Sequence, residues 1–414
     1  MELEALCSAA KAAKYEIAAI STEKKNEALL KIAELLVKES EAIIIANARD
    51  ITTATTKGMS IPMIDRLRLT EDRIKAMSEG LRQVAELPDP LSDVLDEWEL
   101  ANGLKLKKVR VPLGVIGIIY ESRPNVTADA FALTFKSGNV VILKGGSDAI
   151  NSNTAITDVI RKGLKECGIN ENAISLIEST DRETTVKFMQ MREYVDVLIP
   201  RGSAGLIRSV VENSKIPVIE TGAGNCHIYI DKTADAAKAK CIVINAKTQR
   251  LGVCNTAESL LIHEDIAESI FPDIARALHD KSVEIRGDEE AQSSSEFVVP
   301  ASEEDYGKEY LDLLISVKTV KNVEEAIAHI NKYSTHHSDA IVTEDEESAE
   351  KFLKGVDSAC VYVNASTRFT DGFEFGFGAE IGISTQMLHA RGPMGLKELT
   401  SYKYQIRGNG QVRG

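Results

Sequence analysis

What the chain lacks narrows its function first. No apolar run approaches the roughly eighteen residues that a membrane-crossing helix needs. Nor does the N-terminus carry the basic stretch followed by an apolar one that marks a secretory leader. A cytoplasmic protein with no membrane partner is expected. The six cysteines, Cys7, Cys167, Cys226, Cys241, Cys254 and Cys360, are scattered, with no C-x-x-C pair and no dense framework. That spacing argues against a zinc knuckle or a disulfide scaffold, so no metal is expected. Lys and Arg never run longer than two in a row, and the formal charge is −14. Duplex binding needs a basic face, so no nucleic-acid partner is expected either.

What remains is an ordinary globular composition, 43% apolar and 27% charged over 414 residues. This length is too great for one compact core and suggests two or three domains. Residues 1 to about 87 read as helical, with Ala28, Leu29, Ile32, Leu35 and Leu36 at helical spacing and Thr70 placed as a helix cap. Two alternating runs around Asn102-Gly103 predict a hairpin with a type I′ turn, and an isolated ribbon of that kind needs something to pack on. The terminal strand Ser401 to Arg407 is one partner for it.

From Val115 short apolar runs alternate with helical patterns. Strands are expected at 115–120, 139–143, 175–177, 195–199 and 217–219, with helices at about 127–137, 150–166, 183–191 and 204–213. Strands apolar throughout and spaced by helices argue a parallel sheet covered on both faces, with ligands outside its carboxyl ends. Polar loops fall at those ends: Ser122, Arg123 and Asn125; Lys144-Gly-Gly-Ser147; Arg201-Gly-Ser-Ala-Gly205; and Glu220-Thr-Gly-Ala-Gly-Asn225. A second α/β unit starts near Asn245, with strands at 259–262, 313–319, 340–343 and 360–364.

At the seam lies Asn245-Ala-Lys-Thr-Gln-Arg-Leu-Gly-Val-Cys254-Asn255. A thiol attacks as its thiolate, which nearby cations such as Lys247 and Arg250 favour, so Cys254 is a candidate nucleophile. Many lone cysteines are only small buried hydrophobes, and the motif alone does not separate the two readings. Its place between two units, facing four polar loops, favours the nucleophile. Lys144 suits a ribose or phosphate, or is a solvated loop lysine. Gly202, Ser203 and Gly205 open a helix whose N–H groups suit a phosphate, and Ser203 serves equally as a plain cap. Glu220 is a base, a ribose acceptor or a paired carboxylate. No G-x-G-x-x-G follows the first strand.

Several long stretches carry a family resemblance: Val115-Ile-Gly-Ile-Ile-Tyr-Glu-Ser-Arg-Pro-Asn125, Gly138 to Lys144, Asn245 to Arg250 with Cys254-Asn255, and Ala326 to Ile341. Together they resemble the aldehyde dehydrogenase superfamily and, within it, the glutamate 5-semialdehyde dehydrogenases, also called gamma-glutamyl phosphate reductases. The resemblance implies an aldehyde dehydrogenase-like α/β fold with a parallel-sheet cofactor domain, an α/β catalytic domain and a β-hairpin oligomerisation arm. An NADP-binding domain is expected over 1–96 and 112–244, a catalytic domain over 245–370, the arm from 97–111 with 396–414, and a Gly-rich return segment over 371–395.

The implied reaction is NADPH-dependent reduction of L-glutamyl 5-phosphate, an acyl phosphate, to the 5-semialdehyde through a cysteinyl thioester, in proline biosynthesis. Carried over by position, Cys254 is the nucleophile, Glu220 the general-base strand end, Lys144 and the 201–205 loop the cofactor contacts, and Glu304 the nicotinamide-ribose glutamate; the Cys254 N–H with an amide such as Asn125 or Asn255 suits the oxyanion, while the superfamily's oxyanion asparagine aligns nearer Ser122, which leaves that role open. Arg123, Arg250 and Arg368 are candidates for the substrate's carboxylate and phosphate, and Asp339 for its α-ammonium. His336 and His337 read as packing or substrate contacts and not as metal ligands. The resemblance also implies a homo-oligomer and association with glutamate 5-kinase, a domain this chain lacks. Where many family members have proline after the motif arginine, this chain has Leu251-Gly252. Two other functions compete: oxidation of a different small aldehyde with Glu220 activating water, and a noncatalytic binding or assembly protein of the same fold.

Overall fold

A computed structural model describes residues 3–413. It divides into two compact units, the first reaching Glu220 and including Gly376–Gly382 and the chain from Met394, the second comprising Thr221–Phe375 and Ile383–Pro393.

The first unit opens with helices Leu3–Ala18, Thr22–Lys38, Ser40–Thr56, Ile61–Leu67 and Glu71–Glu86. Ala28, Leu29, Ile32, Leu35 and Leu36 form the buried stripe of the second helix, whose end is capped by Ser21 accepting from the Lys24 N–H. Thr70 caps the fifth helix as expected, accepting from the Arg73 N–H at 3.2 Å, and Ile74, Met77, Leu81 and Val84 bury its inner face. The hairpin strands β1 (Val94–Glu99) and β2 (Lys105–Pro112) pair antiparallel, and the terminal strand Thr400–Arg407 adds to β2. The turn differs from the I′ expectation. It spans five residues, Leu100 to Leu104, and only Gly103 takes a positive φ, +82°.

Four parallel strands form this unit's sheet: β3 (Val115–Tyr120), β4 (Val140–Gly145), β5 (Ile174–Leu176) and β6 (Val197–Arg201), in the order β5-β4-β3-β6. Every residue of β3 and β4 is buried, which is why both read as continuous apolar runs. The strand expected at 217–219 does not form; only an isolated bridge joins Leu198 to Val218. Pro217 cannot donate a backbone hydrogen bond, which weakens any ladder there.

The second unit holds seven parallel strands: β7 (Cys226–Ile230), β8 (Ala257–His263), β9 (Glu284–Gly287), β10 (Val298–Pro300), β11 (Leu314–Val320), β12 (Ser338–Val342) and β13 (Cys360–Val363). Their order is β10-β9-β11-β8-β7-β12-β13. Central β7, β8 and β12 are buried throughout. The boundary expected at residue 244 therefore moves to Glu220–Thr221, because β7 and helix Ala236–Thr248 pack into the second core through Ile228, Ile230, Ala239 and Val243. Among the described residues no helix is long and apolar enough to cross a membrane.

Candidate active site

The turn after helix Ala236–Thr248 carries Cys254, half-exposed, before the chain enters β8. Gly252, at φ +69°, supplies the left-handed conformation that turns the chain there. The Thr256 N–H donates to the Val253 carbonyl at 3.2 Å and its hydroxyl to the Arg250 carbonyl at 2.8 Å. The Cys254 carbonyl accepts from the buried Cys226 thiol at 3.2 Å. Gly224 presses on the same peptide, and its own N–H donates to Glu309 Oε1 at 2.7 Å. The nucleophile candidate is thus gripped through its backbone.

Arg368 lies within electrostatic reach of both Cys254 and Arg250. The Arg368 guanidinium is half-buried, and desolvation with the neighbouring Arg250 charge lowers its pKa, while Cys254 and Asp371 act in the opposite direction. Its Nε donates to Gln249 Oε1 at 2.7 Å. Arg368 lines an open hollow of about 200 Å³ with Asn245, Gln249, Phe369, Asp371 and Glu374. The Arg368 guanidinium offers an anion a planar pair of donors in that hollow.

Asn255 does not fit the oxyanion role expected of it. It is buried, and its Nδ2 donates to the Thr370 carbonyl at 2.9 Å and the Arg368 carbonyl at 3.4 Å. With Thr367 Oγ1 donating to the Asn255 carbonyl at 2.8 Å, it ties the Arg368 loop to the cysteine turn. Asp339 is also corrected. It is fully buried, and its carboxylate accepts from the His227 N–H at 2.6 Å and from the hydroxyls of Ser334 and Ser358 at 2.8 and 2.5 Å. Those three donors come from separate segments and the side chain is 0% exposed, so Asp339 is a structural anchor out of a ligand's reach.

His337 is buried too, its Nδ1 2.8 Å from Ser338 Oγ, and burial lowers its pKa to about 4. His329 packs against Tyr306, Tyr333 and His227, and burial lowers it to about 3. Packing is the role the structure gives both. His336 lies apart, with Nδ1 2.6 Å from the Asp357 carbonyl.

Within the first unit, Lys144 ends β4 buried, and its Nζ donates to the Gly145 carbonyl at 3.2 Å. Desolvation lowers its pKa. That one bond leaves most of an ammonium's donor capacity for a ligand. The 201–205 loop differs from expectation. Ser203 caps helix Ala204–Asn213, but its N–H and hydroxyl also donate to the Glu121 carboxylate at 2.8 and 3.0 Å. A Cβ at Gly202 would stand 2.5 Å from that carboxylate. Glu121 therefore already occupies the anion position expected for a cofactor phosphate, and Gly205 lies just behind in the first helical turn.

Asn125 begins helix Asn125–Lys136, is exposed, and gives one of its two amide hydrogens to Asp129 Oδ2 at 2.9 Å. Burial raises Asp129 to about 6. Arg123 is exposed two residues earlier, before the helix starts, and Glu220 is half-buried at the end of its unit, outside any strand. Glu304 is exposed on a short 3₁₀ turn. Five residues on, half-buried Glu309 holds Gly224, and burial raises its pKa.

The sequence matches the model of the aldehyde dehydrogenase family over residues 1–296 and 299–404. A gamma-glutamyl phosphate reductase of Clostridium beijerinckii is 56% identical over 404 residues, 98% of each chain. The chain belongs to the aldehyde dehydrogenase family, in its gamma-glutamyl phosphate reductase group. Another member, from Caldanaerobacter subterraneus, is 55% identical across the full length of both chains. The crystal structure of the Thermotoga maritima gamma-glutamyl phosphate reductase superposes with a TM-score of 0.98 at 50% identity, again over the whole of both chains.

For this aldehyde dehydrogenase family member, sequence reasoning missed three carboxylates: Glu121, Glu258 and Glu309. Glu258 carried one legible signal, a charged residue at the start of an apolar strand. It forms a fully buried ion pair with Lys247 at 2.6 Å. Lys247, expected to lend its charge to Cys254, is instead neutralised by that partner. Among the described residues no group of three His, Cys, Asp or Glu could hold a metal ion.

Proposed function

We propose that the protein reduces L-glutamyl 5-phosphate with NADPH, releasing L-glutamate 5-semialdehyde and phosphate, as a cytoplasmic step of proline biosynthesis. The single observation that carries this reading is a turn presenting Cys254 close to Arg368, which lines an open hollow with Asp371, in a chain whose relatives at 55–56% identity are gamma-glutamyl phosphate reductases. An acyl phosphate brings dense negative charge to its reacting carbon, and a guanidinium suits it.

The Cys254 thiolate attacks the acyl carbon, the carbon–oxygen bond to phosphate breaks, and the glutamyl group remains as a thioester on Sγ. When bound, NADPH supplies the hydride that converts this thioester to a thiohemiacetal. Expulsion of the Cys254 thiolate then gives the aldehyde. The Cys254 N–H stabilises the oxyanion, with Asn125 and not Asn255 as the amide that keeps a hydrogen for it. Arg250 and Arg368 hold the phosphate and the α-carboxylate, and Asp371, beside Arg368 in the hollow, takes the α-ammonium that Asp339 cannot reach.

Lys144 has donor capacity for the adenosine side of NADPH, and Glu309 replaces Glu304 as the ribose acceptor. The Ser203 loop takes part only if Glu121 gives way. No base is needed to activate water, which leaves Glu220 outside the chemistry. The hairpin sheet serves assembly of a homo-oligomer, and glutamate 5-kinase is the enzyme class that supplies the labile acyl phosphate.

Reverse turnover tests the reading. Glutamate 5-semialdehyde with NADP⁺ should give NADPH only when inorganic phosphate is present. Aldehyde oxidation indifferent to phosphate would instead favour an enzyme that hydrolyses its thioester.

A further inference from the structure

The ion pair between Lys247 and Glu258 spans the base of the turn that carries Cys254. Lys247 is the penultimate residue of helix Ala236–Thr248 and Glu258 the second residue of β8, so the pair joins the element that enters the turn to the one that leaves it. Nζ and Oε2 are 2.6 Å apart, and both side chains are 0% exposed. The other carboxylate oxygen, Oε1, accepts from the Leu311 N–H at 3.3 Å. Leu311 sits at φ +58°, a conformation a leucine rarely adopts and one that its neighbours must impose. Two residues before it, Glu309 holds the Gly224 N–H, and Gly224 packs on the Cys254 peptide. The path Lys247, Glu258, Leu311, Glu309, Gly224, Cys254 closes on itself.

We propose that Lys247 and Glu258 are positioning residues, a buried clamp that fixes the Cys254 turn, and through Leu311 the Gly224 contact, in the geometry required for attack. Stability alone is a poor reason for such a pair. Removing two charges from water offsets most of their attraction, and well-packed apolar residues of similar size often serve a fold as well or better. Here desolvation pushes Lys247 down and Glu258 up, the direction that signals an unfavourable setting for both charges. What an apolar pair cannot supply is an acceptor for the bond that the Leu311 N–H donates to Glu258. Small displacements of a nucleophile reduce rate steeply, so the clamp acts on turnover and not on substrate affinity.

The double variant Lys247→Met with Glu258→Leu separates the two roles. The full-length protein should keep its melting temperature and its KM for NADPH. Its kcat should fall about a hundredfold, with alkylation of Cys254 by iodoacetamide slowing in parallel. Retained stability with kcat and alkylation both near wild type would overturn the proposal. Amide exchange in the wild type gives an answer that needs no variant: the clamp requires segment 249–256 to exchange as slowly as the start of β8, and free exchange would contradict it. The inference rests on Cys254 being the nucleophile. Failure of that reading would show as a wild type without phosphate-dependent turnover, whereas failure of the clamp would leave wild-type turnover intact.

Discussion

Gly224 meets Cys254 backbone against backbone: a Cβ at position 224 would stand 1.5 Å from the Cys254 carbonyl oxygen and 2.5 Å from its Cα. Neither atom belongs to a flexible side chain, so the contact cannot yield without moving the nucleophile. Gly224→Ala should therefore lower kcat by about a hundredfold and destabilise the fold by about 1–3 kcal/mol. Steady-state kinetics beside urea unfolding measure both. An alanine variant with normal kcat would show that the turn moves freely.

Arg368 is expected to act through its planar fork as well as its charge. Arg368→Lys keeps the charge and loses the fork, and should raise KM for the acyl phosphate by about tenfold, with KM for NADPH unchanged. An equal rise in both constants would place Arg368 elsewhere in the cycle.

Asp371 replaces Asp339 as the expected partner of the substrate ammonium. In the reverse reaction, Asp371→Asn should reduce discrimination between glutamate 5-semialdehyde and the analogue without the amino group by about tenfold, the scale of one hydrogen bond to a charged group. A parallel loss on both substrates would mean that Asp371 supports the hollow without reading the amino group.

His329 and His337 make stability depend on acid. Both are buried, with pKa values lowered to about 3 and about 4 from the ordinary 6.5. Below pH 6.5 the unfolded chain takes up these protons first. The stability the histidines contribute is thus complete above 6.5 and is lost as pH falls toward 4 and then 3, at about 1.4 kcal/mol per pH unit for each. Urea unfolding at a series of pH values should show a shallower slope in His329→Phe than in the wild type. Equal slopes would contradict the burial argument.

Much of the architecture is legible in the chain because a parallel sheet covered on both faces writes itself as short apolar runs. β3, β4 and β8 are visible for that reason. β7 is not, since Cys226-His-Ile-Tyr-Ile230 mixes in polar types, although all five residues are buried. β9 and β10 are short and lie at the sheet's margin, where patterning is weakest. Cys254 stood out locally as a thiol among cations in a turn. Its supports did not, because each acts across the fold: Glu309 reaches Gly224 from 85 residues away, and the donors that hold Asp339 include His227, 112 residues distant. A carboxylate in a polar-looking segment reads as a ligand contact until its donors are seen. The apparent phosphate loop at Ser203 misled in the same way, as nothing local indicates that Glu121 fills it.

Alkylation by iodoacetamide, followed site by site by peptide mass, shows whether Cys254 is the nucleophile. Exposure alone would favour Cys241, which is exposed, over half-exposed Cys254 and Cys360, with Cys7, Cys167 and Cys226 buried and slow. An activated nucleophile reverses that order. Cys254 should be modified first, with activity lost in step and the acyl phosphate substrate protecting it. Labelling that follows exposure, with turnover surviving modification of Cys254, would contradict that role.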